Sequence, residues 1–262
     1  MKTTIIGCGN MGGATALGLI KAGRIPAGDI TVTARHSGSL EKFAAAGIGT
    51  TTDNIRAVAG ADIVILAVKP FMVSQIIEQI KPALDYSRQT IVSFAAGIGS
   101  AQLQQWLDKD GQKPGLVLVI PNTAIELCQS MTFVANAGAS DSQLASVMEL
   151  FDGTGITMQV SEKQLAGGMT LASCGIAYAM RYVRASAEGG VELGFYPKDA
   201  VKIVCQTVLG AAGLILEHGS NPEDEIDKVT TPGGFTIRGL NAMEEAGFTA
   251  AVQSGLKPDG KK

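Results

Sequence analysis

Thr3-Thr4-Ile5-Ile6-Gly7-Cys8-Gly9-Asn10-Met11-Gly12 is the stretch on which the reading of this chain turns. A short strand-forming run ends in Gly-x-Gly-x-x-Gly and passes into a helical pattern from Met11 to Lys21. Each glycine has a separate physical task. Gly7 permits the tight turn, Gly9 lets the backbone approach a pyrophosphate, and Gly12 lets helix and strand pack closely. The helix start then offers unpaired N–H groups and a positive dipole end to phosphates. At the first strand-to-helix junction, this pattern predicts a dinucleotide site.

The rest of the first 160 residues supports that placement. Strand patterns at Thr3–Ile6, Asp29–Thr33, Ile63–Val68, Thr90–Phe94 and Leu116–Ile120 alternate with helical ones at Met11–Lys21, Ser39–Ala46, Phe71–Leu84 and Ser100–Leu107. The continuous apolar run from Ile63 to Val68 suits a parallel strand covered on both faces. Alternation of this kind predicts a doubly wound α/β sheet. Asp141–Phe151 reads as a further helix and Ile156–Val160 as a last strand.

Near residue 161 the pattern changes. Ser161 with Gln164 fits a capping box, and no strand pattern follows as far as residue 218. Apolar residues along Asp199–Glu217 mark one face of a helix, with Pro197 near its start. Ala172–Ser186 is helical and apolar on more than one side, so it requires burial on more than one side. In a helical domain of this size the simplest cover is a second subunit. The expected division is therefore residues 1–160 and residues 161–262, with the polar tail Lys257–Lys262 frayed.

Composition narrows the class. The chain has 262 residues, 46% hydrophobic and 17% charged, which permits a sizeable core. A net charge of -3 argues against a nucleic-acid surface. Cys8, Cys128, Cys174 and Cys205 have no Cys-x-x-Cys spacing, and His36 lies far from His218, so no metal site is expected. The run broken at Gly7 is short for a signal peptide. No apolar stretch is read as long enough for a membrane span. A cytoplasmic protein without membrane partners is the expectation.

The second strand runs into Thr33-Ala34-Arg35-His36-Ser37. An acid here would take the ribose hydroxyls of NAD. Arg35, His36 and Ser37 stand in its place, where a 2′-phosphate would lie, which favours NADP and NADPH over NADH. Ala67-Val68-Lys69-Pro70 ends the strand beyond the middle of the sheet. Ala95-Ala96-Gly97 and Pro121-Asn122-Thr123 end the next two, and their small residues and single amide suit a flat ring at the sheet edge.

These segments, with Thr231-Pro232-Gly233-Gly234-Phe235-Thr236 and Glu244-Glu245-Ala246-Gly247-Phe248, resemble pyrroline-5-carboxylate reductase in order and spacing from residue 3 to about residue 255. The resemblance implies a Rossmann-type NADP-binding domain followed by an all-helical domain that forms a homodimer, often assembled further. It implies reduction of a cyclic imine, pyrroline-5-carboxylate, to proline, the last step of proline biosynthesis. It places cofactor contacts on Ile6 to Met11, Arg35, Asn54 and Ala67 to Pro70. It also places the substrate carboxylate on the backbone of Gly233, Gly234 and Phe235, with Asn122 nearby, and makes Thr236 the partner of the ring nitrogen.

Two segments depart from the family pattern. Ile120-Pro121-Asn122-Thr123-Ala124 replaces a Met-Pro-Asn-Thr-Pro run, and the Arg that commonly precedes it is absent. Ser173-Cys174-Gly175-Ile176-Ala177-Tyr178 replaces a Gly-Ser-Gly/Ser-Pro-Ala-Tyr run. These departures motivate one alternative, a dinucleotide-binding sensor without catalysis. Another is a 3-hydroxyacid dehydrogenase, against which stands the absence of any lysine from Gln164 to Pro197.

Overall fold

A computed structural model describes residues 1–257. The strands are β1 (Thr3–Ile6), β2 (Ile30–Thr33), β3 (Gly49–Thr51), β4 (Ile63–Leu66), β5 (Thr90–Ser93), β6 (Gly115–Ile120), β7 (Ser130–Asn136) and β8 (Gly155–Gln159). The helices of the same region are α1 (Asn10–Lys21), α2 (Glu41–Ala45), α3 (Asn54–Val58), α4 (Val73–Ile80), α5 (Ser100–Leu107), α6 (Asp141–Phe151) and α7 (Glu162–Gly168). The strands form one eight-stranded sheet in the order β3-β2-β1-β4-β5-β6-β7-β8. β1 to β6 run parallel. β7 is antiparallel to β6, and β8 is parallel to β7. The order reverses between β1 and β4, which opens a crevice at their C-terminal ends.

Side-chain alternation sorts the sheet residues onto two cores. Ile5, Ile63, Ile65 and Val92 pack into one with Leu19 and Phe43, and Ile6, Val64, Leu66 and Ile91 into the other with Val73, Ile77 and Leu103. The continuous apolar run of β4 is explained by this: both of its faces are buried. Each fully buried Ile contributes roughly 1.5–3 kcal/mol.

Two strands escape the apolar-run reading. β3 is three residues long. β7 buries Ser130 and Thr132, whose hydroxyls bond each other at 2.9 Å, so its inward face is partly polar. The helix expected over Phe71–Leu84 is instead 3-10 at Pro70–Met72, α over α4 and 3-10 at Lys81–Ala83. Pro70 and Pro82 lack the N–H groups that a continuous helix needs. Similarly, the Ser39–Ala46 expectation divides into a 3-10 turn at Ser37–Leu40 and α2.

The chain forms two compact units, Met1–Ser173 and Cys174–Lys262. The expected boundary at 160/161 falls before α7, whose Leu165 joins the second sheet core. Gln164 Oε1 accepts from the Ser161 N–H at 3.0 Å at the start of α7. A π-helical segment, Met169–Cys174, follows where an α-helix was expected from Ala172.

The second unit contains α8 (Gly175–Glu192), α9 (Pro197–His218), α10 (Pro222–Lys228), α11 (Phe235–Glu245) and α12 (Phe248–Gly255). α8 packs on α9, where a Cβ on Gly190 would lie 3.0 Å from Ala200 Cβ. Among the described residues of this unit only Ala187 and Ala200 are buried, while Tyr182, Leu193, Leu209 and Leu216 are exposed. α9, at 22 residues, is long and apolar enough by length and composition to cross a membrane. This corrects the expectation that no stretch is so: its Ala and Gly residues keep even the turns between its larger apolar side chains non-polar. Of the tail expected to fray, residues 258–262 lie outside the described residues.

Candidate active site

The fingerprint turn is held by the neighbouring strand ends. Thr33 O accepts from both Gly7 N–H (3.2 Å) and Cys8 N–H (2.9 Å), while Ile6 O accepts from Ala67 N–H at 2.9 Å. Gly7 has φ +98°, a conformation open to glycine. A Cβ on Gly12 would sit 1.9 Å from Gly7 O, so helix and turn touch there. A Cβ on Gly9 meets nothing within 4 Å, which leaves room over the turn. Gly9 provides no side-chain cap for α1, whose first intrahelical bond runs from Gly13 N–H to Gly9 O at 2.8 Å. The first-turn N–H groups are consequently available to an anion.

Two adjoining cavities lie along these strand ends. One, of about 620 Å³, is lined by Gly7 to Met11, Ala34, Arg35, Ser39, Ala67 to Pro70, Met72, Phe94, Ala96 and Thr123. The other, of about 630 Å³, is lined by Ile6, Gly7, Thr33, Ala34, Arg35, Thr52, Asn54, Val68, Met72, Gln75, Ile76 and Gln79. Gly7, Ala34, Arg35, Val68 and Met72 border both, so the two form one groove. Its shape, glycine turn and exposed Arg35 fit a dinucleotide carrying an extra phosphate. Cys8 Sγ donates to Ser39 O at 3.7 Å, and burial pushes the thiol up. Cys8 therefore brings no negative charge to the phosphate path at neutral pH.

The groove brings together Ile6, Gly7, Cys8, Gly9, Asn10, Met11, Arg35, Asn54, Ala67, Val68, Lys69, Pro70 and Ala96. His36 and Ser37 are exposed beside Arg35 but border neither cavity, because the chain turns into a 3-10 helix at Ser37. Gly12 is buried under the turn. Ala95 and Gly97 line a separate cavity of about 180 Å³ with Ile98, Leu118, Leu165 and Met169. Asn122 is buried, and its side chain accepts from Ala124 N–H at 3.0 Å, capping the 3-10 turn Thr123–Leu127. The next residue, Thr123, reaches the groove instead.

Met72, Gln75, Ile76 and Gln79, all on the α4 approach, were not identified in sequence. Their helical spacing is legible, but which face of α4 borders a ligand depends on the sheet order. The two departing motifs meet in the first unit: Ser173 Oγ donates to Pro121 O at 2.9 Å.

In the second unit, Thr231 to Gly234 form a turn closed by Gly234 N–H to Thr231 O at 2.9 Å. Gly233 has φ +68° after Pro232, as a type II turn demands. Gly234 N–H is thus engaged within the turn. Gly234 is also the N-cap of α11 and supplies no side chain, so the N–H groups of Phe235 and Thr236 remain in the uncapped first turn. Phe235 and Thr236 are exposed. The Arg238 guanidinium lies 4.9 Å from the Phe235 ring centre, and its Nε donates to Gly234 O at 3.3 Å.

Residues 2–97 match a family model described as NADP oxidoreductase, coenzyme F420-dependent, and residues 162–258 match one described as pyrroline-5-carboxylate reductase dimerisation. The chain is 38% identical to pyrroline-5-carboxylate reductase 1 of Dictyostelium discoideum, over 96% of this chain but 47% of that relative. It is 36% identical to pyrroline-5-carboxylate reductase 2 of the same organism, over 98% of this chain and 90% of the relative. A crystal structure of 1-pyrroline-5-carboxylate reductase from Streptococcus pyogenes superposes with a TM-score of 0.84 at 32% identity, covering 98% of this chain and 95% of that one.

Proposed function

Because the chain belongs to the pyrroline-5-carboxylate reductase family, we propose that it reduces pyrroline-5-carboxylate to L-proline, with NADPH as the preferred reductant. The observation that carries this reading is the groove at the β1–β4 crossover, with its glycine turn and an Arg where an acid would select NAD. Neither a sensor nor a 3-hydroxyacid dehydrogenase is favoured by the family relationship.

The α1 N-terminus and Gly9 receive the pyrophosphate, and Arg35 receives the 2′-phosphate. Bound reduced nicotinamide supplies the hydride that goes to the imine carbon. Asn122 is assigned to the nicotinamide and substrate end by holding Thr123 at the groove. Gly233, Phe235 and Thr236 N–H groups receive the substrate carboxylate at the start of α11. Thr236 Oγ1 orients the ring nitrogen. A hydroxyl is too weak an acid to protonate it alone, so the imine enters protonated or takes its proton from water. The exposed apolar sides of α8 and α9 are covered by a second copy of the chain.

An assay with pyrroline-5-carboxylate and each reduced cofactor tests the reading. The expected result is imine-dependent oxidation of NADPH with formation of proline. Tight NADPH binding without proline formation would overturn it. Thr236→Ala is expected to lose turnover while NADPH binding persists.

A further inference from the structure

Asn54 enters the groove from a fixed position. It opens α3 directly after Asp53, whose N–H donates to Thr51 Oγ1 at 3.1 Å and whose side chain accepts from Arg56 N–H at 3.1 Å. Across the groove floor, Asn54 Nδ2 donates to Gln79 Oε1 on α4 at 2.9 Å. An Asn side chain ends in an amide with two N–H donors on its nitrogen and one acceptor oxygen. One Nδ2 N–H goes to Gln79, which turns the amide nitrogen toward α4, and Oδ1 receives no hydrogen bond among the described residues. Arg35 borders the same cavity.

The two groups therefore present opposite chemistry. Arg35 attracts a phosphate. An amide oxygen accepts from a ribose hydroxyl and opposes a phosphate oxygen, which has no proton to give. Resting on the reading of this groove as the dinucleotide site, we infer that Gln79 is a specificity-determining positioning residue. By holding Asn54 with its oxygen inward, it tempers the preference set by Arg35 and keeps the groove open to NADH.

Equilibrium titration of each reduced cofactor, followed by its fluorescence, tests the inference. Gln79→Leu removes the acceptor and frees Asn54 to turn its amine inward, so the ratio of NADPH to NADH affinity should rise about threefold or more. Gln79→Glu still accepts from Nδ2 but adds a negative charge, so the same ratio should fall by a similar factor. A merely structural role would not give opposite signs. In an Asn54→Ala background, Gln79→Leu should leave the ratio unchanged. A shift of the same sign in both variants, no shift in either, or a full Leu effect without Asn54 would overturn the inference. A parent protein that binds neither cofactor would instead overturn the dinucleotide reading, and this inference with it.

Discussion

Arg35 Nη2 lies 3.4 Å from Met72 Sδ, across the groove that both residues border. A thioether sulfur is a weak acceptor. It steadies the guanidinium without neutralising it, and among the described residues no carboxylate pairs with Arg35. The cation is held in place yet left for an external anion. Arg35→Ala should therefore weaken NADPH by roughly 10- to 100-fold, the loss of a charge-assisted contact worth about 1.5–3 kcal/mol. NADH should change by less than about threefold, since it lacks that phosphate. Titration of both cofactors checks this, and an equal loss for both would contradict the phosphate assignment.

Met72→Glu makes the complementary test. It places a carboxylate where the sulfur now meets Arg35. The ion pair formed would satisfy the guanidinium internally, so NADPH affinity should fall although Arg35 is intact. Met72→Gln, which adds no charge, should lose far less NADPH affinity, and an equal loss in both variants would contradict the ion-pair account.

Gly9 and Gly12 separate binding from folding. Gly12→Ala forces a Cβ to within 1.9 Å of Gly7 O, a backbone atom that cannot swing aside. Overpacking of this kind costs about 1–3 kcal/mol or more, so the urea midpoint should drop along with cofactor binding. Gly9→Ala meets no protein atom within 4 Å. Its stability should stay near that of the parent while cofactor affinity falls, because the added methyl occupies space over the turn.

Glu162 caps a helix from which it is distant in sequence. Its carboxylate accepts from Ser100 N–H at 2.7 Å and from Ser100 Oγ at 2.5 Å, at the N-terminus of α5. Gly99, the N-cap there, supplies no side chain. Glu162→Ala should cost about 0.5–2 kcal/mol in a denaturant titration, and Glu162→Gln should recover part of it.

Glu225 links α9 to α10. It accepts from Lys228 Nζ at 2.7 Å, Ser220 Oγ at 2.7 Å and His218 Nδ1 at 3.3 Å. Lys228 first, then Ser220 and His218, hold its carboxyl down at about 2. A carboxyl lowered on folding contributes stability above its unfolded value, and that contribution disappears as pH falls through the folded one. Thermal melts should show the parent losing this increment between about pH 4.5 and pH 2. Glu225→Gln should be less stable near neutral pH and lack that acid-dependent loss.

What was legible in sequence was local. The turn announces itself because the backbone conformation at Gly7 and the close packing at Gly12 tolerate little else, while Gly9 keeps the space over it open. The two-sided burial of β4 follows from its unbroken apolar run, and the helical second unit from the periodicity of α9. Arg35 could be placed because strand β2 carries it a fixed distance beyond the glycines. The remaining features depend on which elements become neighbours. Gln79 meets Asn54, Met72 meets Arg35, Glu162 caps Ser100 and Ser173 reaches Pro121, across separations of 25 to 62 residues. No periodicity encodes such meetings: the crossover order of the sheet creates them. The engagement of Gly234 N–H likewise appears only when the Thr231–Gly234 turn closes. Backbone geometry and hydrophobic spacing are properties of neighbouring residues along the chain. Side-chain partnership is a property of neighbouring residues in space, and only the folded sheet decides it.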